Sequence, residues 1–190
     1  MRQAKTLTQT ELRRVLDYVA TRPHAARNRA ILLAGHLSGM RVGELALLRV
    51  VDVLDEAGQV KAEIQLVAEQ TKGRAGRTVL VSERLRKELT AYAKTLVGSA
   101  REGAFFPTQK QPKRGFTPNT LAQHLRALYR NAGIAGASSH SMRRTFITNL
   151  AAKGVGVRVL MALAGHKNIA TTQAYIDVND DMKRKAIELA

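Results

Sequence analysis

The chain has 190 residues and a formal net charge of +16, so it forms one domain, or at most two small ones, and is strongly basic. This charge favours a polyanionic partner, and we expect nucleic acid rather than membrane because no segment is apolar enough to span a bilayer. The absence of cysteine excludes disulfides and thiolate metal sites, and without an apolar signal peptide the protein is expected in the cytoplasm.

The first fifty residues predict helices. Thr8 followed by Glu11 has the spacing of a capping box, in which each side chain accepts a hydrogen bond from the backbone N–H of the other residue. A second helix is mostly apolar after Arg29 and is therefore expected in the core, and Ser38-Gly39 ends it. The predicted ranges are Thr8–Val19, Ala25–Leu37 and Val42–Leu48.

Between residues 50 and 81 the pattern is no longer helical, and it predicts a small antiparallel sheet. Its strands are expected within 60–68 and 78–81, and the turn between them, 71–77, contains two glycines and three cations. The fold class predicted for the whole chain is therefore mainly α with a small antiparallel β-sheet. Further helices are predicted at 82–96, at 117–131 and from about Asn179 onwards.

The residues best suited to chemistry lie between positions 140 and 175. A helix that starts after Ser138-Ser139 would place His140 and Arg143 on one face, since residues three positions apart are neighbours on a helix. The next helix, Val157–Ala164, is expected to end at a glycine. The stretch combines two imidazoles, a guanidinium and a phenol, which together suit chemistry on a phosphate: His140, Arg143, His166 and Tyr175.

Four short motifs, in this order, resemble those of the tyrosine recombinase (phage integrase) family. They are SGMRVGELALL around Arg41, TKGR around Lys72, HSMRRTF from His140, and LAGHKNIATTQAYI, which contains Tyr175. The resemblance extends from about Thr6 to Tyr175 and covers the whole catalytic domain of that family. It implies a fold like the tyrosine recombinase catalytic domain.

The resemblance implies that a tyrosine attacks a phosphate held by two arginines. Arg41 and Arg143 would bind the scissile phosphate of double-stranded DNA, Glu44 would support Arg41, and Tyr175 would form a 3′-phosphotyrosine link. Guanidinium groups suit this task on physical grounds also, because their planar fork binds two phosphate oxygens and stays charged. Fixed cations stabilise the charge that develops in the transition state, and they favour the phenolate form of a neighbouring phenol.

Three further residues would move protons or form hydrogen bonds in the implied reaction. Lys72 would protonate the departing 5′-oxygen, and His140 and His166 would assist. Members of this family cut DNA without a metal or cofactor and rejoin it to a different strand. The expected function is therefore site-specific DNA recombination, with a homo-tetramer expected on DNA and a monomer in free solution.

Two features depart from the usual family pattern. Arg144 stands where many members have histidine, which leaves the implied catalytic set intact but changes its support. The chain also begins almost at the catalytic domain, so residues 1–190 are predicted to form a single catalytic domain without a separate N-terminal DNA-clamping domain. Relatives that invert fimbrial-switch DNA share this organisation, and Pro23–Asn28 resembles a segment in them. Removal of a clamping domain from a longer protein is the alternative.

Each assignment has a structural alternative. Tyr175 could pack on the core as an ordinary helix tyrosine, and the two histidines could lie at helix ends or bind a metal as a pair. Lys61 or Arg74 could take the role assigned to Lys72. For the function, the alternatives are a basic DNA-binding protein that has lost strand transfer, and a type IB topoisomerase, which shares the chemistry but relaxes DNA alone.

Overall fold

The computed structural model describes residues 4–71, 76–96, 100–109, 114–176, 183–184 and 187–188. Within these residues the chain is mostly helical, with one two-stranded antiparallel sheet. The predicted fold class is therefore confirmed. None of the helices in the described ranges is long and apolar enough to cross a membrane.

The elements follow one another along the chain with short connections. The helices are α1 (Gln9–Ala20), α2 (Ala25–Ser38), α3 (Val42–Ala46), α4 (Val50–Val53), α5 (Glu83–Ala93), α6 (Pro118–Asn131), α7 (Ser139–Ala152), α8 (Val157–Ala164) and α9 (Ile169–Gln173). The strands are β1 (Glu63–Leu66) and β2 (Arg77–Leu80), and a 3-10 turn, Ala68–Gln70, lies between them. Glu63 pairs with Leu80 and Leu66 with Arg77.

Helix α1 starts as its sequence predicts. Thr8 Oγ1 accepts a hydrogen bond from the Glu11 N–H at 3.1 Å, and Glu11 Oε2 accepts one from the Thr8 N–H at 3.0 Å. The capping box therefore satisfies two backbone donors at the helix terminus. The predicted range Val157–Ala164 agrees with α8 at both ends.

Helix α2 forms the centre of the core, and α1, α5 and α7 pack around it. Ile31 and Leu32 are fully buried, as expected for a helix that neighbours surround. The helix ends at Gly39, whose φ of +65° is a conformation that favours glycine. A Cβ at Gly39 would lie 2.5 Å from Cδ1 of Phe146 on α7, so glycine also lets α7 approach closely. This turn leads the chain directly to Arg41.

Two short segments differ from the prediction. No helix is predicted between residues 50 and 81, but Val50–Val53 form α4. β-Branched valines favour strands, yet Asp52 accepts a hydrogen bond from the Arg49 N–H at 2.9 Å and thereby stabilises a helical turn. The short helix predicted at 42–48 ends earlier, at Ala46.

Apolar side chains form two clusters, and the smaller one positions the last elements. The larger cluster contains residues from α1 to α7. The smaller cluster joins α7 to α8 and consists of Ile147, Ala151, Leu160 and Ala164. Tyr175 and Ile176 are partly buried and pack against this smaller cluster. The segment that contains Tyr175 is thus held against α7, the helix that contains His140 and Arg143.

The buried His36 is expected to make the fold sensitive to acid. Its Nε2 lies 3.2 Å from the Tyr129 hydroxyl, and burial lowers the pKa of His36 from 6.5 to about 4. The unfolded chain therefore binds a proton at this residue more readily than the folded chain does. The stability contributed by neutral His36 is fully present above pH 6.5 and is lost as the pH falls to about 4.

We expect the free energy of unfolding to fall by about 3 kcal/mol over this pH range because of His36 alone. Urea unfolding at a series of pH values measures the effect. His36→Leu should be less stable at pH 7, since the Tyr129 hydroxyl loses its partner, but should lose less stability on acidification. Tyr129→Phe leaves His36 buried and should retain the pH dependence of the wild-type protein. Equal pH dependence in His36→Leu would assign the acid sensitivity to other groups.

Candidate active site

A cleft of about 570 Å³ opens between α3, residues 69–71, α7 and the α8–α9 region. Five of the six predicted site residues line this cleft: Arg41, His140, Arg143, His166 and Tyr175. The sixth, Lys72, lies outside the described residues, and its neighbour Thr71 lines the cleft. The tertiary fold therefore brings together side chains from widely separated parts of the chain.

Arg41 is held at the N-terminus of α3 by Glu44. The backbone N–H of Arg41 donates to Glu44 Oε2 at 2.7 Å, and its Nη1 donates to Oε1 at 3.0 Å. Nη2 of Arg41 donates to the carbonyl oxygen of Gly165 at 3.1 Å. The support of Arg41 by Glu44 that the resemblance implies is thus present. These contacts fix the guanidinium at the cleft wall while 31% of the side chain remains exposed.

Glu44 is almost completely buried and lies between two arginines. Burial opposes ionisation of its carboxyl group, but the hydrogen bonds and charges of Arg77 and Arg41 outweigh this and hold the pKa of Glu44 below its usual value. Arg77 donates from Nη2 to Oε2 at 2.7 Å and from Nε to Oε1 at 3.2 Å. One carboxylate therefore accepts hydrogen bonds from two guanidinium groups.

Arg143 is buried, and two main-chain carbonyls orient its guanidinium. Nη1 donates to the carbonyl oxygen of Gly39 at 2.8 Å, and Nη2 donates to that of Ala164. The first carbonyl follows α2 and the second ends α8, so the orientation depends on the packing of both helices against α7. Burial, and then the charge of Arg41, lower the pKa of Arg143 to about 10, which leaves it protonated at pH 7.

His140 lies in the first turn of α7, one turn before Arg143. Its backbone N–H donates to Ser138 Oγ at 3.3 Å, and its side chain is exposed. Both His140 and Arg143 line the cleft, so the helical spacing predicted from the sequence is confirmed.

His166 and Tyr175 stack on each other, with ring centroids 5.6 Å apart and an interplanar angle of 23°. Nδ1 of His166 lies 2.8 Å from the hydroxyl of Thr172, a fully buried residue of α9. Burial, followed by the charges of nearby arginines, lowers the pKa of His166 to about 4. His166 is therefore neutral at pH 7, where it forms hydrogen bonds but adds no positive charge.

Tyr175 is supported from α7 through its main chain and its ring. Thr148 Oγ1 donates to the carbonyl oxygen of Tyr175 at 3.0 Å. The guanidinium carbon of Arg144 lies 5.8 Å from the centre of the Tyr175 ring, and Arg144 Nε donates to Thr6 Oγ1 at 3.1 Å. Arg144 thus makes a cation–π contact with this ring. The half-buried Tyr175 packs on the smaller apolar cluster and also lines the cleft.

The sequence and the fold of this chain are similar to those of known proteins. The sequence pattern of the phage integrase family matches residues 5–182 of this chain. The chain belongs to the phage integrase family. Among curated integrase-family relatives, the tyrosine recombinase XerA of Pyrococcus furiosus is 27% identical over 186 residues. That alignment covers 98% of this chain and 62% of XerA, so the chain spans less than two thirds of that relative's length.

Solved structures of integrase-family proteins have the same fold. A crystal structure of XerA recombinase matches with a TM-score of 0.76 at 24% identity, over 100% of this chain and 64% of the other. The Tn1549 transposon integrase in complex with a circular intermediate DNA matches with a TM-score of 0.74 at 19% identity, over 100% and 67%. The predicted fold, like a tyrosine recombinase catalytic domain, is thereby confirmed. The single-domain organisation stays a prediction.

Two residues beside the cleft were not indicated by the sequence motifs. Arg77 binds Glu44 beside the cleft, and Thr172 contacts His166. Thr172 lies within the last motif and Arg77 three positions after TKGR, but nothing in their local spacing distinguishes them from solvated neighbours. Lys61, an alternative to Lys72, donates from Nζ to the Val51 carbonyl at 2.7 Å and is not among the described residues that line the cleft.

Proposed function

We propose that this chain is a site-specific DNA recombinase, which cuts and rejoins double-stranded DNA through a covalent 3′-phosphotyrosine intermediate at Tyr175. The observation that carries the proposal is the cleft that Tyr175 shares with Arg41, Arg143, His140 and His166. Membership of the phage integrase family and the similarity to a protein named tyrosine recombinase XerA support it. The formal net charge of +16 supports DNA as the partner.

The proposed step exchanges one phosphate ester for another. The Tyr175 oxygen attacks phosphorus, the phosphotyrosine bond forms, and the bond to the 5′-oxygen breaks. The phenol loses a proton and the departing oxygen gains one, for which Lys72 is the proposed donor. Arg41 and Arg143 bind the non-bridging oxygens and stabilise their increasing charge. Attack by the 5′-hydroxyl of another strand reverses the step and rejoins the DNA.

The two histidines have different roles in this proposal because their environments differ. His166 is neutral at pH 7 with a pKa of about 4, and its Nδ1 is engaged by Thr172. Its Nε2 is then the nitrogen that contacts a phosphate oxygen. His140 is exposed at the cleft and exchanges protons with the reacting groups.

Trapping the covalent intermediate tests the proposal. Sheared genomic DNA of the source organism is nicked lightly with DNase I and incubated with the full chain. When a nick lies beside the cleavage position, the short strand between the nick and the cleaved bond dissociates. The 5′-hydroxyl needed for rejoining is then lost, and the adduct accumulates. Fragments that stay attached to denatured protein are sequenced, and they define the trapping duplex. We expect such fragments; tight DNA binding with no adduct would instead indicate the non-catalytic DNA-binding protein.

Strand exchange between two duplexes separates a recombinase from a topoisomerase. Two duplexes of different length, each containing the site recovered from the trapped fragments, are incubated with the protein. A recombinase yields products that join parts of both duplexes. Relaxation of supercoiled plasmid without such products would indicate a type IB topoisomerase.

We further propose that four protomers assemble on DNA and that the C-terminal residues contribute to this assembly. The last predicted helix lies largely outside the described residues, but Ile187 is described and its side chain is 75% exposed. When a neighbouring protomer covers an apolar side chain with this exposure, the free energy of the assembly is lowered.

Deleting residues 179–190 is expected to weaken assembly of the two-duplex complex by about 30-fold, the effect of losing one buried isoleucine. Binding to a single site should change little. Native gel shifts with one and two duplexes measure both quantities. Ile187→Ser should reproduce the assembly defect, whereas the neighbouring Glu188→Gln serves as the control. Unchanged assembly by the shortened chain contradicts this part of the proposal.

A further inference from the structure

Arg77 connects three parts of the site from a position just outside the cleft. It is the first residue of β2 and comes five positions after Lys72 in the sequence. Its side chain is 11% exposed and makes two bonds to Glu44, at 2.7 Å and 3.2 Å. The remaining terminal nitrogen, Nη1, donates to the carbonyl oxygen of Leu163 at 3.0 Å. One guanidinium thus joins the strand to α3 and to the end of α8.

The same side chain supports the turn that leads to His166. Gly165 has a φ of +62°, and a Cβ added there would lie 2.6 Å from Arg77 Cδ. The stem of Arg77 therefore packs directly against the backbone of Gly165. The carbonyl oxygen of Gly165 in turn accepts a hydrogen bond from Arg41 Nη2 at 3.1 Å. A change at Arg77 would alter the support of both Arg41 and His166.

Arg77 also changes the electrostatic effect of Glu44. The carboxylate lies 3.0 Å from Arg41 Nη1, where its negative charge opposes the attraction of Arg41 for a phosphate. Arg77 neutralises that carboxylate from the other side. With Arg77 present, Glu44 can orient Arg41 while the guanidinium groups of Arg41 and Arg143 remain an uncompensated pair of positive charges.

We infer that Arg77 is a positioning residue for the proposed DNA cleavage. It orients Arg41 through Glu44 and keeps the charge of Arg41 directed at the phosphate. The inference rests on the proposed function. Arg77 itself does not line the cleft among the described residues, so its effect should appear in the rate of the chemical step more than in DNA affinity.

The test measures single-turnover cleavage of the trapping duplex at saturating protein, together with the dissociation constant for the same duplex. Arg77→Gln should cleave about 100-fold more slowly, as expected for a misplaced catalytic group, with affinity changed by less than about threefold. Arg77→Lys should be only about tenfold slower, because one ammonium group can neutralise Glu44 but cannot also hold the Leu163 carbonyl with a planar fork.

A double variant separates this role from a purely structural one. Glu44→Gln combined with Arg77→Gln removes the uncompensated carboxylate, so it should cleave about tenfold faster than Arg77→Gln alone. If Arg77 only held the fold together, the second substitution would give no gain.

Arg29→Gln is the matched control, since Arg29 also makes two bonds to one carboxylate, that of Glu88, and neither residue lines the cleft. It should cleave like the wild-type protein.

The outcomes are distinguishable. If the wild-type protein cleaves the duplex and a folded Arg77→Gln cleaves it equally fast, the inference is overturned and the proposed function stays intact. The inference also fails if the double variant is no faster than Arg77→Gln. If Arg77→Gln does not fold, Arg77→Lys decides, and a wild-type rate in that variant overturns the inference. A wild-type protein that forms no adduct at all overturns both proposals.

Discussion

Tyr175→Phe is expected to abolish the covalent protein–DNA adduct while DNA binding is retained. The substitution removes only the hydroxyl, the proposed nucleophile, and no other phenol among the described residues lines the cleft. The phenylalanine ring can still stack on His166, pack on the smaller apolar cluster and face Arg144. A band that survives denaturation on the trapping duplex measures the adduct, and a gel shift measures binding.

Tyr92→Phe is the matched control for this prediction. Tyr92 is buried, and its hydroxyl donates to the Phe105 carbonyl at 3.0 Å, so the substitution costs about 1 kcal/mol of stability without touching the cleft. Its adduct yield should equal that of the wild-type protein. An undiminished adduct in Tyr175→Phe would assign the nucleophile to another residue and end the recombinase mechanism as proposed.

Arg143→Lys is expected to slow cleavage of the trapping duplex by about 10²- to 10³-fold, or about 3–4 kcal/mol of transition-state stabilisation. Charge is conserved, but lysine lacks the planar fork that here donates to the carbonyls of Gly39 and Ala164. The cation would no longer be held in one orientation toward the phosphate. Single-turnover rates at saturating protein measure the loss, and thermal unfolding measures the cost to stability.

Arg27→Lys controls for the loss of a buried arginine as such. Arg27 is 6% exposed, donates to the Pro107 carbonyl at 2.7 Å and is not among the residues that line the cleft. The control should lose stability to a similar extent as Arg143→Lys but cleave at the wild-type rate. A rate for Arg143→Lys within tenfold of the wild-type protein would show that orientation of this guanidinium is unimportant.

Much of the fold could be predicted because its signals are local. The capping box of Thr8 and Glu11 marks the start of α1, and Gly165 marks the end of α8. Interactions of this kind involve residues within one helical turn, so the sequence pattern contains them directly. Helix α4 was missed because three β-branched valines outweighed a single polar turn-forming residue, Asp52, in the pattern.

The site could be predicted only in part, because motifs identify chemical groups but not all of their supports. The motifs indicated the five catalytic candidates that line the cleft and Glu44, which also lines it, together with Lys72, which lies outside the described residues. They did not indicate Arg77, whose partners Glu44 and Leu163 are 33 and 86 positions away. No periodicity relates residues at such separations, so only helix packing reveals that they meet.

The sequence by itself determined the local elements and the chemistry available to them: a basic helical chain with one phenol, two arginines and two histidines in ordered motifs. The tertiary structure decided how those groups are oriented and charged. Packing of α2 and α8 against α7 brings two carbonyls to Arg143, and burial lowers the pKa of His166 to about 4. Desolvation and long-range hydrogen bonds arise only when distant segments exclude water together, which is why they cannot be deduced from any local stretch.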